Sequence, residues 1–124
     1  MLKPRRKSPE HDIQAAFVTW CRLHEKKYPE LKLAFAVPNG GHRHAATAAR
    51  LKAEGVRPGV PDWCLPVARG GYIGLFVEFK SSKGKPSPAQ LEYIGLLKTA
   101  GHRVVVCNDF LVAAEVVKMY LSEG

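Results

Sequence analysis

Residues 59–80 constrain this chain more than any other stretch. They read Gly59-Val60-Pro61-Asp62, then a turn at Arg69-Gly70-Gly71, then Leu75-Phe76-Val77-Glu78-Phe79-Lys80. The pattern predicts two neighbouring strands joined by a hairpin, with Asp62 opening the first and Glu78 and Lys80 ending the second. Side chains alternate faces along a strand, so Glu78 and Lys80 point one way and Val77 and Phe79 the other. A carboxylate and an ammonium at the end of an apolar strand are costly to bury without partners. Pairing across the hairpin brings Asp62 close to them. Two carboxylates beside a lysine make a site for a hard cation, and Mg2+ uses such carboxylates together with substrate phosphate. Charged residues at i and i+2 on a strand also form ordinary solvated faces, so the surroundings decide between the two.

The chain has 124 residues, the size of one ordinary domain, and 46% of them are apolar, enough for a core. Its formal net charge is +8, which suggests a polyanionic partner, most simply nucleic acid. No apolar run is long enough to span a bilayer. The N-terminal residues 1–7 are basic but lack the apolar region of a signal peptide. The three cysteines, Cys21, Cys64 and Cys107, are far apart among apolar neighbours. They read as buried free thiols of a reduced, cytoplasmic compartment rather than as zinc ligands.

Residues 1–7, with Arg5, Arg6 and Lys7, read as a basic arm suited to phosphates, ahead of a single domain over 8–124. Ser8-Pro9-Glu10 starts a helix predicted to run to residue 27, with Ile13, Ala16, Phe17, Trp20 and Cys21 as its buried stripe. Glu10 and Gln14 share a face beside that stripe. Residues 31–37 read as a first strand, and Pro38-Asn39-Gly40-Gly41 as a turn. Residues 42–54 form a small-residue helix bearing Arg43, Arg50 and Lys52, capped by Gly55. His42 and His44 read as solvated. Strands over 62–67 and 72–80 follow. The basic loop 81–86 carries Lys83 and Lys85 and is placed to meet a DNA backbone. Ser87-Pro88-Ala89-Gln90 is a capping box opening the next helix, which continues through Leu91, Ile94 and Leu97 to Gly101. Residues 102–107 form a buried strand, and Asn108 or Asp109 caps a last helix whose Leu111, Val112, Val116 and Met119 are expected in the core. The order implies an α/β fold, a mixed sheet flanked by helices, with a parallel crossover between the last two strands.

Taken together, Glu10 with Gln14, Pro38-Asn39-Gly40-Gly41, the run Gly55-Val56-Arg57-Pro58-Gly59-Val60-Pro61-Asp62, Glu78-Phe79-Lys80 and Ser87-Pro88-Ala89-Gln90 resemble the VRR-NUC domain, a branch of the PD-(D/E)XK nucleases. The resemblance covers nearly the whole chain from Ser8 on and looks like the stand-alone form carried by phages and bacteria. It implies a restriction-endonuclease-like core and a Mg2+- or Mn2+-dependent endodeoxyribonuclease. Asp62, Glu78 and the Phe79 carbonyl would hold the metal, and Glu10 would complete the site directly or through water. Lys80 would position or activate the attacking water, Gln90 would support Lys80 or the water, and Gln14 and Asn39 would be supporting neighbours.

A non-catalytic nucleic-acid-binding domain is the alternative from another class, and a nuclease for flaps or other non-junction DNA is the alternative within the class. The chain offers no recognition helix rich in base-reading side chains, so phosphate contacts and DNA shape should set its preference. Paired cuts in a branched substrate call for two active sites related by a two-fold axis. With the resemblance, this gives the expectation of a homodimer acting on four-way (Holliday) junctions.

Overall fold

The computed structural model describes residues 9–38 and 45–124. The expectations for Arg5, Arg6, Lys7, the Ser8 cap, Asn39, His42, Arg43 and His44 lie outside the described residues.

Helix α1 spans Pro9–Leu23 and buries Phe17 and Cys21. It is shorter than the sequence suggests, because residues 24–27 form turns in which the His24 and Tyr28 amides bond back to Trp20, Cys21 and His24 carbonyls. A 3-10 helix, Pro29–Leu33, then occupies the first half of the expected strand over 31–37. Pro29 fixes φ and offers no N–H, and the tight turn that follows buries Leu31 while leaving Leu33 exposed. Only Phe35–Ala36 remains as strand β1. Helix α2, Ala45–Ala53, buries none of its residues.

Strand β2 is Trp63–Leu65 and β3 is Leu75–Phe79, both shorter than expected. Prolines at 61 and 66 bracket β2 and cannot donate to a ladder, so pairing stops at both ends. The hairpin turn lies apart from the strands, as a separate Arg69↔Tyr72 bridge. Gly70 and Gly71 take positive φ at its two central positions, the geometry that matches the twist of a hairpin. Helix α3, Pro88–Thr99, starts with the expected capping box, and Gly101 at φ +105 ends it. Strand β4, Arg103–Cys107, and helix α4, Phe110–Ser122, complete the chain, with Asp109 as the α4 cap.

The sheet order is β1-β2-β3-β4. The pairs β1/β2 and β2/β3 are antiparallel, and β3/β4 is parallel, with Val77 beside Val105 and Phe79 beside Cys107. The mixed sheet and the parallel crossover therefore stand as expected. Alternation along β3 divides the molecule. Leu75, Val77 and Phe79 join Trp63, Leu65 and Cys107 in one core with Phe17 of α1 and Ala113, Val117 and Tyr120 of α4. The Phe17 ring meets Trp63 edge-on at 4.8 Å and Phe79 at 5.3 Å. Such aromatic pairs add about 1 kcal/mol each beyond the area they bury. Glu78 is on the opposite face, toward α3, whose Ile94 is buried.

The core of α4 corrects an expectation. Leu111, Val112 and Met119 are exposed, and Val116 is only half-buried. The buried stripe is Ala113, Ala114, Val117 and Tyr120, because small residues let α4 approach the sheet closely. The three cysteines are free and buried, as expected.

Gly59 locks the loop before β2 onto α3. Its φ is +85, and a Cβ there would lie 2.4 Å from the Ala89 carbonyl oxygen. Gly55 has φ +101 but open space around it. Gly55→Ala should therefore cost only the backbone strain, about 1 kcal/mol. Gly59→Ala should cost at least about 2 kcal/mol more, because backbone must move as well. Urea unfolding of the two variants checks this, and equal losses would mean that the Gly59–Ala89 contact does not constrain the loop.

Candidate active site

Glu78 is 1% exposed, the one charged residue buried among those described. Strand alternation forces it inward toward α3, at the end of β3. Its Oε2 accepts a hydrogen bond from the Gln90 side-chain amide and lies 3.8 Å from Lys80 Nζ. Its Oε1 is buried with no hydrogen-bond partner. Burial pushes its pKa up from 4.5 to about 8, and the Asp62 carboxylate beside it pushes the same way, while the Lys80 charge opposes both.

Gln90 does two jobs with one side chain. Its Oε1 accepts from the Ser87 N–H at 2.8 Å, closing the capping box. Its Nε2 donates to Glu78. The sequence suggests support for Lys80 or for water; the partner in the structure is Glu78.

Asp62 arrives from the locked loop, with its Oδ2 accepting from the Phe79 N–H at 2.8 Å. That bond exists because the ladder has ended. Lys80 N–H bonds to the Cys107 carbonyl, so even-numbered residues of β3 face β4 and Phe79 turns its N–H and C=O toward β2. Extending the β2/β3 register by one pair step of two residues sets Pro61 opposite Phe79. Proline has no N–H to give the Phe79 carbonyl. Asp62, Glu78, Lys80 and Phe79 thus converge, as the sequence suggests.

These groups line a cavity of about 750 Å3 between the start of α1, helix α2, the 55–60 loop and the start of α3. Glu10 and Gln14 line it too. Glu10 Oε1, however, sits 3.4 Å from the Ser81 N–H and tethers the loop after β3. Among the described residues no three His, Cys, Asp or Glu side chains gather closely enough to hold a metal ion. The oxygens gathered here are Glu78 Oε1, which has no hydrogen-bond partner, and those of the neighbouring Asp62 carboxylate, with the Phe79 carbonyl at the same strand end. Carboxylate and carbonyl oxygens suit Mg2+ or Mn2+, and the buried orphan oxygen gives such an ion a place.

Lys83 and Lys85 are exposed on the following loop and do not line the cavity. The cavity wall instead contains His11, Lys52 and Arg57, to which the sequence analysis gives no role. The signal for Lys52 was available: Ala48, Leu51 and Lys52 fall at i, i+3 and i+4, one face of α2.

The raised pKa of Glu78 makes stability depend on pH in the metal-free protein. The folded state holds this proton more tightly than the unfolded chain. The contribution is complete below about pH 4.5, shrinks as pH rises and is gone above about 8, where the folded group ionises. Glu78→Gln removes the effect. Its stability relative to wild type, measured by thermal unfolding in chelator, should rise between pH 5 and 8 by roughly 3 kcal/mol. A difference that stays flat or runs the other way would show that Glu78 is already ionised.

A family model described as the VRR-NUC domain matches residues 4–110. A solved structure described as "VRR_NUC domain protein" superposes with a TM-score of 0.80 at 28% identity, covering 96% of this chain and 93% of that one. A second, described as "VRR_NUC domain", gives a TM-score of 0.57 at 21% identity over 92% of this chain and 99% of that one, and so speaks to the fold. No curated protein matches. With the match running from ahead of α1 to the start of α4 and taking in Asp62, Glu78 and Lys80, the chain belongs to the VRR-NUC family of nucleases.

Proposed function

We propose that this chain is a metal-dependent endodeoxyribonuclease that hydrolyses phosphodiester bonds at the Asp62–Glu78–Lys80 site. The observation that carries this reading is the buried Glu78, with one oxygen unpartnered, facing a cavity beside Asp62 and Lys80. A buried carboxylate in that state is a liability for folding and an asset for binding a cation.

Asp62, Glu78 and the Phe79 carbonyl would hold Mg2+ or Mn2+, with Glu10 contributing through water. The bound ion would supply charge neutralisation at the phosphate and a lower pKa for water. Gln90 fixes the Glu78 carboxyl so that its free oxygen keeps its aim. Lys80, a compact cation with rotatable donors, orients the attacking water and stabilises negative charge growing on the phosphate oxygens. Lys83 and Lys85, beside the site, contact backbone phosphates without reading sequence. Attack by water on phosphorus displaces one sugar oxygen, which leaves with a proton.

Cleavage of plasmid and oligonucleotide DNA with Mg2+ or Mn2+, against chelator, tests the activity. Glu78→Gln should lower the cleavage rate at least about 100-fold and leave DNA affinity within about two-fold, since basic phosphate contacts supply most of the affinity. Full activity of that variant at saturating Mg2+ would remove Glu78 from the site.

The substrate we propose is the four-way junction, cut by a homodimer. Apolar Leu111, Val112 and Met119 lie exposed on α4 and suit a self-association face. The described part of α2 is largely alanine and offers little to read base edges. Solution mass should give a dimer, and junctions should be cut in preference to linear duplex of the same arm sequence. A monomer that cuts both equally would end the junction reading and keep the nuclease.

A further inference from the structure

The cavity wall carries two cations whose place the metal site does not explain. Lys52 is on the face of α2 that lines the cavity with Ala48 and Leu51. The other described basic residue of α2, Arg50, turns away and pairs with Glu54 at 3.9 Å. Arg57 follows on a loop that is held at both ends. Before it, the Gly55 and Val56 amides bond back to the Lys52 and Leu51 carbonyls. After it, Pro58 restricts the backbone and Gly59 packs against Ala89. Among the described residues neither Lys52 nor Arg57 has a salt-bridge partner.

Cations on this wall do nothing for a metal ion held by Asp62 and Glu78; they repel it. The placement makes sense when an anion lies between. The phosphate under attack already has Lys80 and the carboxylate-held ion. A neighbouring phosphate of the same strand needs a counter-charge of its own. Resting on the nuclease reading, we propose that Lys52 and Arg57 clamp the phosphate adjacent to the scissile one, Arg57 as a forked donor and Lys52 as a point charge. The strand then runs from the sheet toward α2, and the cut position is set by how far the clamp lies from Lys80. The clamp, rather than the loop of Lys83 and Lys85, fixes the register of the substrate.

The test combines Lys52→Gln, Arg57→Gln and the double variant of the full chain with DNA in which single phosphates near the cut are replaced by neutral methylphosphonates. Both residues are exposed, so thermal stability should match wild type. Each single variant should weaken binding to unmodified DNA about ten-fold at low salt and reduce the salt slope by about one. One methylphosphonate, next to the cut, should weaken wild-type binding by a similar factor and leave the double variant no weaker than it already is. Arg57→Lys should recover part of the loss. Variants that bind and cut like wild type overturn the clamp alone, as do losses that multiply at every methylphosphonate position. Wild-type protein that binds DNA without cutting it overturns the nuclease reading and the clamp with it.

Discussion

The burial of Glu78 is the constraint around which the rest of the molecule is arranged. A carboxyl group at the end of a central strand, 1% exposed, costs several kcal/mol unless it is neutralised or partnered. Its supports come from separate elements. Gln90 reaches it from α3, Lys80 from two residues along the strand, and Asp62 stands beside it from the loop before β2. Asp62 does not relieve the cost; it adds to it. A fold selected for stability alone would not bring a second carboxylate there. The pair is tolerable because the Phe17–Trp63–Phe79 core on the opposite face of the sheet holds β2 and β3 rigidly in register.

Gln90 shows how the site and the fold share parts. A capping box satisfies helix-end groups that would otherwise lack partners. Here the same amide that completes the box also holds Glu78, so the start of α3 and the carboxylate are one mechanical unit. Gly59 extends that unit to the loop carrying Asp62, because the loop backbone rests on the Ala89 carbonyl with no room for a side chain. Asp62 and Glu78 reach the site from different elements and are positioned against a common point.

Local patterns were legible in the sequence, and long-range placement was not. The alternation of Val77, Glu78 and Phe79 stated which side chains share a face, and the structure keeps it. The signals at Ser87-Pro88-Ala89-Gln90, Gly55, Gly70, Gly71 and Gly101 each mark a turn or a cap that exists. The failures have two causes, packing between distant elements and one overlooked local turn. On α4, the sequence offers Leu111, Val112 and Met119 as readily as Ala113 and Val117, and only the closeness of the sheet selects the smaller set. The alternation over 31–37 resembles a strand, but Pro29 favours a tight turn that takes its first three residues into a 3-10 helix. Lys52 and Arg57 look like solvated charges until α2 and its loop are seen to wall the cavity.

Pro61 ties these levels together. It is fully buried, so it is neither a surface breaker nor an incidental turn residue. At that position any other residue would bring an N–H opposite the Phe79 carbonyl and extend the β2/β3 ladder by one more pair. The sheet would gain a hydrogen bond. The Phe79 carbonyl would then be taken by that donor. Proline withholds that pairing. The Phe79 N–H then aligns Asp62, at 2.8 Å, and the Phe79 carbonyl has no ladder donor at the end of the strand where Glu78 and Lys80 converge. One missing backbone donor thus stops the sheet at the place where its edge becomes chemically useful.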